Sequence, residues 1–231
     1  MFFIYPSSYI VEKPGTTANV LDKYKDKEII SYTGETSSFD GQILLLTVGV
    51  FGGPGGYATS FSLIPALFNN FEDVEPSEVV YRPQMTAQEA QDETAEQMEQ
   101  SQNTAVLAAT NYLRTQGKEV NPDDITVAID SVGGPSAGIS FTLGILQKVG
   151  GIDLTDGRII AATGTIDTEG NIGPIGGAKE KMKSAHEKGA RIMLVPSKNY
   201  DELVDIPADL KVYKVNTLED ALEVLTSVHA L

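Results

Sequence analysis

The stretch Ile125–Val149, "ITVAIDSVGGPSAGISFTLGILQKV", decides the fold, because it reads as a strand, a tight turn and a helix in immediate succession. Ile125, Val127 and Ile129 alternate with Thr126, Ala128 and Asp130, the period of a half-buried strand. Gly133, Gly134, Pro135 and Gly138 then punctuate the chain around Ser136. From Ser136 onward, "SAGISFTLGILQKV" is a helix.

Working outward, the downstream chain repeats the alternation. Strand "RIIAATGTI" (158–166) leads into the Gly-rich loop "DTEGNIGPIGG" (167–177), helix "AKEKMKSAHEK" (178–188) and strand "RIMLVP" (191–196). A helix around "NYDELV" (199–204), a strand "LKVYKV" (210–215) and a helix "TLEDALEVLTSV" (217–228) follow. Helices interleaved with strands predict a mixed αβ domain of the α+β class. Upstream, "SYIVE", "KEIISYT" and "QILLLTVGV", separated by "KPGTT" and "SSFDGQ", predict an N-terminal β layer. "SFSLIPALFNNF" predicts a short helix interrupted at Pro65. Thr86 and Glu89 form a capping box that opens a long helix to about Arg114, its acidic first half a solvated face. "GKEVNPDD" (117–124) is the natural internal boundary or insertion point. The expectation is one domain over 1–231, with a β/helix part at 1–120 and a catalytic core at 121–231.

Composition removes several classes of function. Lys and Arg number 17 against 32 Asp and Glu, and a net charge of −15 repels phosphate backbones, so nucleic acid is not an expected partner. No cysteine is present, which excludes disulfides, thiol nucleophiles and thiolate metal sites. Two histidines, His186 and His229, far apart in sequence, predict no metal centre, and no cofactor is expected. The longest apolar run, "ILLLTVGVF", is too short to cross a membrane and reads as a buried strand. The apolar opening "MFFIYP" is consistent with the trimmed edge of an anchor.

"GPSAG" satisfies G-x-S-x-G in the strand–turn–helix setting that gives the pattern chemical meaning. There Ser136 faces incoming substrate, and the N–H groups of the turn can meet a developing oxyanion at a helix start. The plainer account of Ser136 is a helix cap. A nucleophilic serine needs a base. Asp201 or Asp205 with His229 fits the order of an α/β-hydrolase esterase, but His229 is third from the C-terminus, and His186 sits in a charged helix as a surface residue. A lysine serves if burial strips its proton. On the helix from Ala178, the residues Ala178, Met182 and Ala185 form an apolar stripe, and Lys181 falls within it. Lys179 and Lys183 fall on the opposite, solvated side with His186, since two residues turn a helix by about 200°.

"GGPSAGI", "ATGTI" and "GNIGPIGGAKEK", in this order and spacing, resemble the proteolytic domain of Lon proteases over Asp124 to about Leu225. The resemblance implies the Lon proteolytic fold and a Ser-Lys dyad of Ser136 and Lys181. It also implies that Thr163 helps position the lysine amine, with Gly134, Pro135 and Ala137 forming the turn and oxyanion site. "YIVEKPG" and "SQNTAVLAATNYL" are similar to the membrane-anchored, PDZ-containing Lon-like proteases of Gram-positive bacteria. Where those carry a PDZ domain, near residues 114–124, this chain has "RTQGKEVNPDDI". Gly133 stands where motor-linked Lon enzymes have an acidic residue, and "GPIGGAKE" lacks the G-K-[ST] ending of a Walker motif, so no ATPase motor is expected in this chain.

The expected activity is therefore ATP-independent serine endopeptidase cleavage of peptides or unfolded proteins. A Lon-fold polypeptide-binding module with little or no catalysis is the rival of a different class. The resemblance further implies a homo-oligomer and action at the extracytoplasmic face of the cell membrane, the cytoplasm being left open.

Overall fold

The computed structural model describes residues 7–56, 58–69 and 72–228. The N-terminal half supplies β1 (Tyr9–Asn19), β2 (Lys23–Tyr24), β3 (Lys27–Glu28), β4 (Ile30–Tyr32) and β5 (Gln42–Phe51). Next come α1 (Ser60–Leu63), β6 (Asp73–Pro76), α2 (Ser77–Val80) and the long α3 (Ala87–Thr115). The second half runs β7 (Ile125–Val127), α4 (Gly138–Lys148), β8 (Ile159–Ala162), β9 (Thr165–Ile166) and β10 (Ile172–Gly173). It closes with α5 (Ala178–Glu187), β11 (Ile192–Pro196), β12 (Lys211–Val215) and α6 (Leu218–Val228).

One six-stranded sheet, in the order β12-β11-β8-β5-β1-β6, organises the molecule. β5, β8, β11 and β12 run parallel, and β1 lies antiparallel to both β5 and β6. The N-terminal strands thus share a sheet with those of the catalytic core. Strand alternation sorts the core into two faces. Ile43 and Leu45, Ile160 and Ala162, and Ile192 and Leu194 point toward α3, α4 and α6. Leu44 and Leu46, Ala161, and Met193 and Val195 point toward α5. The result is helices on both faces of a mixed sheet, an αβ architecture consistent with the Lon proteolytic domain.

Several local rules act as the sequence reads. α3 starts at Thr86 with both halves of the capping box formed, Thr86 Oγ1 accepting from Glu89 N and the Glu89 carboxylate accepting from Thr86 N. Pro65 separates α1 from a 3-10 turn at Ala66–Phe68. The "KPGTT" stretch differs from its reading as a turn, because β1 runs through it with a bulge between Pro14 and Thr17. The reason is register: β6 pairs only with Tyr9–Glu12, so the N–H that Pro14 lacks costs no ladder bond on that side. The strand read at 124–130 is shorter than expected, ending at Val127, and α4 begins at Gly138. The helix around Asn199 is a 3-10 segment, Ser197–Glu202. No helix among the described residues is long and apolar enough to cross a membrane.

Candidate active site

The turn between β7 and α4 is held from two sides. Ser136 O accepts hydrogen bonds from Gly164 N (2.9 Å) and Thr163 Oγ1 (3.3 Å), which ties it to the β8–β9 connection. On the other side α3 grips it: Gly134 N donates to Thr94 O (3.0 Å), and Ser101 Oγ donates to Pro135 O (3.1 Å). α3 therefore contributes more than a solvated acidic face. A Cβ at Gly133 would sit 2.1 Å from Thr94 Cγ2, so close packing against α3 keeps that position bare. Ser136 itself is half-buried and Ala137 buried. Gly134 has committed its N–H and Pro135 has none, whereas the N–H groups of Ser136, Ala137, Gly138 and Ser140, just before and in the first turn of α4, have no hydrogen-bond partner among the described residues.

Lys181 comes from the opposite face of the sheet. α5 packs on β1 and β5, burying Ala178, Met182 and Ala185, and Lys181 within that stripe is 3% exposed. Burial pushes its ammonium down to about 8, against the opposing pull of the Glu12 and then the Glu180 carboxylates. Ser136 and Lys181 line one cavity of about 790 Å³, together with Glu12, Thr165, Pro174 and Gly176. The loop that leads into α5 is pinned by buried Asn199, whose side chain accepts from Ile175 N (3.0 Å) and donates to Ile175 O (2.8 Å). Gly177 caps α5 in the left-handed region, φ 63°.

The remaining candidates fall as follows. Thr163 is fully buried, and the hydrogen bond of its hydroxyl runs to the serine turn. Lys179, read as solvated, is partly buried and paired with Asp73 of β6, the edge strand beside the β1 on which α5 packs. His186 Nε2 lies 2.8 Å from Asp209 Oδ1 near the surface, remote from the cavity lining. His229 and the "MFFIYP" opening lie outside the described residues. Ser101, Thr94 and Asn199 escape sequence reading: each acts through backbone contacts that have no pattern of their own. One buried acid also emerges. Glu180 is fully buried with no hydrogen-bond partner on either carboxylate oxygen, and burial pushes it up to about 7.

Comparison with known proteins places this geometry in a family. The Lon protease (S16) C-terminal proteolytic domain matches residues 90–228, well over half of the chain. A Lon protease of Campylobacter concisus is 45% identical over 98 residues, 39% of this chain and 12% of that protein. Lon protease 2 of Sorangium cellulosum is 31% identical over 140 residues, 54% of this chain and 17% of that protein. The Lon protease of Escherichia coli K12 is 32% identical over 133 residues, again 17% of its length. The matches thus cover under a fifth of these relatives. The matched span takes in the serine turn, the β8–β9 connection and α5, and the chain belongs to the Lon protease (S16) C-terminal proteolytic domain family.

Proposed function

We propose that this domain is a serine endopeptidase in which Lys181 is the base for Ser136. The observation that carries the reading is an almost fully buried amine opening on the same cavity as a half-exposed serine hydroxyl. With its proton affinity depressed to about 8, Lys181 is neutral in a useful fraction of molecules near neutral pH. The Nζ lone pair takes the hydroxyl proton as Oγ bonds the peptide carbonyl carbon. Charge that develops on the carbonyl oxygen is met by the N–H groups of Ser136 and Ala137 at the start of α4. Lys181 then protonates the leaving amine, and water attacks the acyl-enzyme with the same amine as base. The Thr163 hydroxyl, while donating to Ser136 O, keeps a lone pair with which to orient the amine.

Peptides and unfolded polypeptides are the substrate class, cleavage requires no nucleotide, and the domain works as a homo-oligomer at the extracytoplasmic face of the membrane; these parts follow the family resemblance. The test is hydrolysis of a fluorogenic peptide library and an unfolded protein without nucleotide. Ser136→Ala and Lys181→Ala should each lose activity by roughly 10³-fold or more while keeping the folded circular-dichroism spectrum. A serine-directed phosphonylating probe should label Ser136 in the parent and far more slowly in Lys181→Ala. Full activity in Lys181→Ala rejects the base, and an unlabelled, inert parent favours the polypeptide-binding module.

A further inference from the structure

The cavity holds one acid that this chemistry leaves unused. Glu12 of β1 lines it beside Ser136 and Lys181. In the sheet Glu12 stands directly opposite Asp73 of β6, which sets two carboxylates face to face, a costly arrangement unless cations neutralise both. α5 supplies the cations. Lys179 is taken by Asp73. The cation left to answer Glu12 is Lys181, and each group's charge bears on the other's proton affinity. Glu12 also reaches the helix start, since a Cβ on Gly177 would come within 3.3 Å of Glu12 Oε2, where the dipole of α5 favours negative charge. At Gly133, three residues before Ser136, a side chain of any kind would run into Thr94.

We propose that Glu12 is a positioning residue for Lys181, the fixed counter-charge that orients Nζ and stabilises the ammonium formed when the amine has taken the Ser136 proton. This rests on the dyad reading above. In that step a cation appears at Nζ and an anion at the tetrahedral oxygen; a carboxylate facing the same cavity lowers the energy of the cation. The charged and titratable groups around Glu12 are Asp73 and Glu75 from β6, Lys179, Glu180 and Lys181 from α5, and Tyr81. Burial first, then Glu75 and Asp73, push the Glu12 carboxyl above its ordinary range, while Lys181 and Lys179 pull it back toward the carboxylate.

Two effects of opposite sign follow. Glu12 makes Nζ hold its proton to higher pH, and it strengthens Nζ as a base once neutral. Glu12→Gln should therefore move the acid limb of the kcat/KM profile to lower pH by about one unit. The same change should lower the alkaline plateau roughly tenfold. Glu12→Asp, which keeps the charge, should hold the limb near the parent's position. A purely structural role would lower the whole profile without moving the limb. An unmoved limb in Glu12→Gln, or the same displacement in Glu12→Asp, overturns the proposal; Glu12→Ser replaces Glu12→Gln if the latter does not fold. A second measurement needs no turnover. In Ser136→Ala protein, the pH midpoint for acylation of Lys181 Nζ, read by peptide mass spectrometry, should fall when Glu12→Gln is added, and an equal midpoint overturns the proposal. Failure of the dyad shows separately, as activity surviving in Lys181→Ala.

Discussion

Lys181 has to be dry enough to lose its proton and close enough to acids to be held in place. Its affinity of about 8 is the compromise between burial and two carboxylates. In the proposed mechanism the neutral amine is the reactive form, so kcat/KM should rise with pH through about 8 and fall about tenfold per unit on the acid side. A stopped assay between pH 6 and 10 reads this directly, and a flat profile would remove Lys181 from the chemistry. Lys181→Arg should lose activity as fully as Lys181→Ala, since a guanidinium keeps its proton throughout that range. It should also melt lower, because a permanent charge replaces one that can be neutralised. The phase of Lys181 was legible from three small or flexible apolar neighbours at helical spacing. Its acid partner was not, because Glu12 precedes it by most of the chain, and only strand pairing and the packing of α5 on β1 bring the two together.

At the scale of elements, α4 shows how packing overrides propensity. Gly144 lies in the middle of this buried helix, where alanine is the better helix former by up to about 1 kcal/mol. A Cβ there would meet Ile30 Cδ1 at 2.6 Å and Val20 Cγ2 at 2.7 Å. Gly144→Ala should consequently destabilise by about 1–3 kcal/mol and lower the melting temperature by about 2–4 °C for each kcal/mol. A thermal scan that finds the variant more stable would mean that β4 and the chain before it yield easily. Elements of this kind were well marked in the sequence, through the capping box of α3, the proline break at Pro65 and the apolar runs of β5 and β11. What the sequence hid was register. "KPGTT" carries every mark of a turn, and only the absence of a β6 partner beyond Glu12 lets β1 continue through it. The serine turn was legible as a turn, whereas its clamps at Thr94, Ser101 and Gly164 depend on which elements the sheet order brings alongside.

At the scale of the molecule, one sheet carries the serine turn on one face and the lysine helix on the other, and α5 is stabilised in spite of two ionisable side chains buried next to each other. These set a pH dependence for the whole fold. Glu180 is held up at about 7 against an ordinary 4.5, so between those values the folded chain binds the extra proton and stability falls as pH rises. Lys181 is held down at about 8 against 10.5, so between those values the unfolded chain binds the extra proton and stability rises with pH. Together they place a minimum between about pH 7 and 8, each side about 3 kcal/mol deep. Glu180→Gln removes the acid side alone: it should be about 3 kcal/mol more stable than the parent at pH 7.5 and within about 1 kcal/mol of it at pH 5. Urea midpoints of the two proteins at both pH values decide the matter. A constant difference between them would assign Glu180 a packing role in α5 independent of its charge, whereas a difference that opens only at the higher pH identifies the lone buried carboxylate as its source.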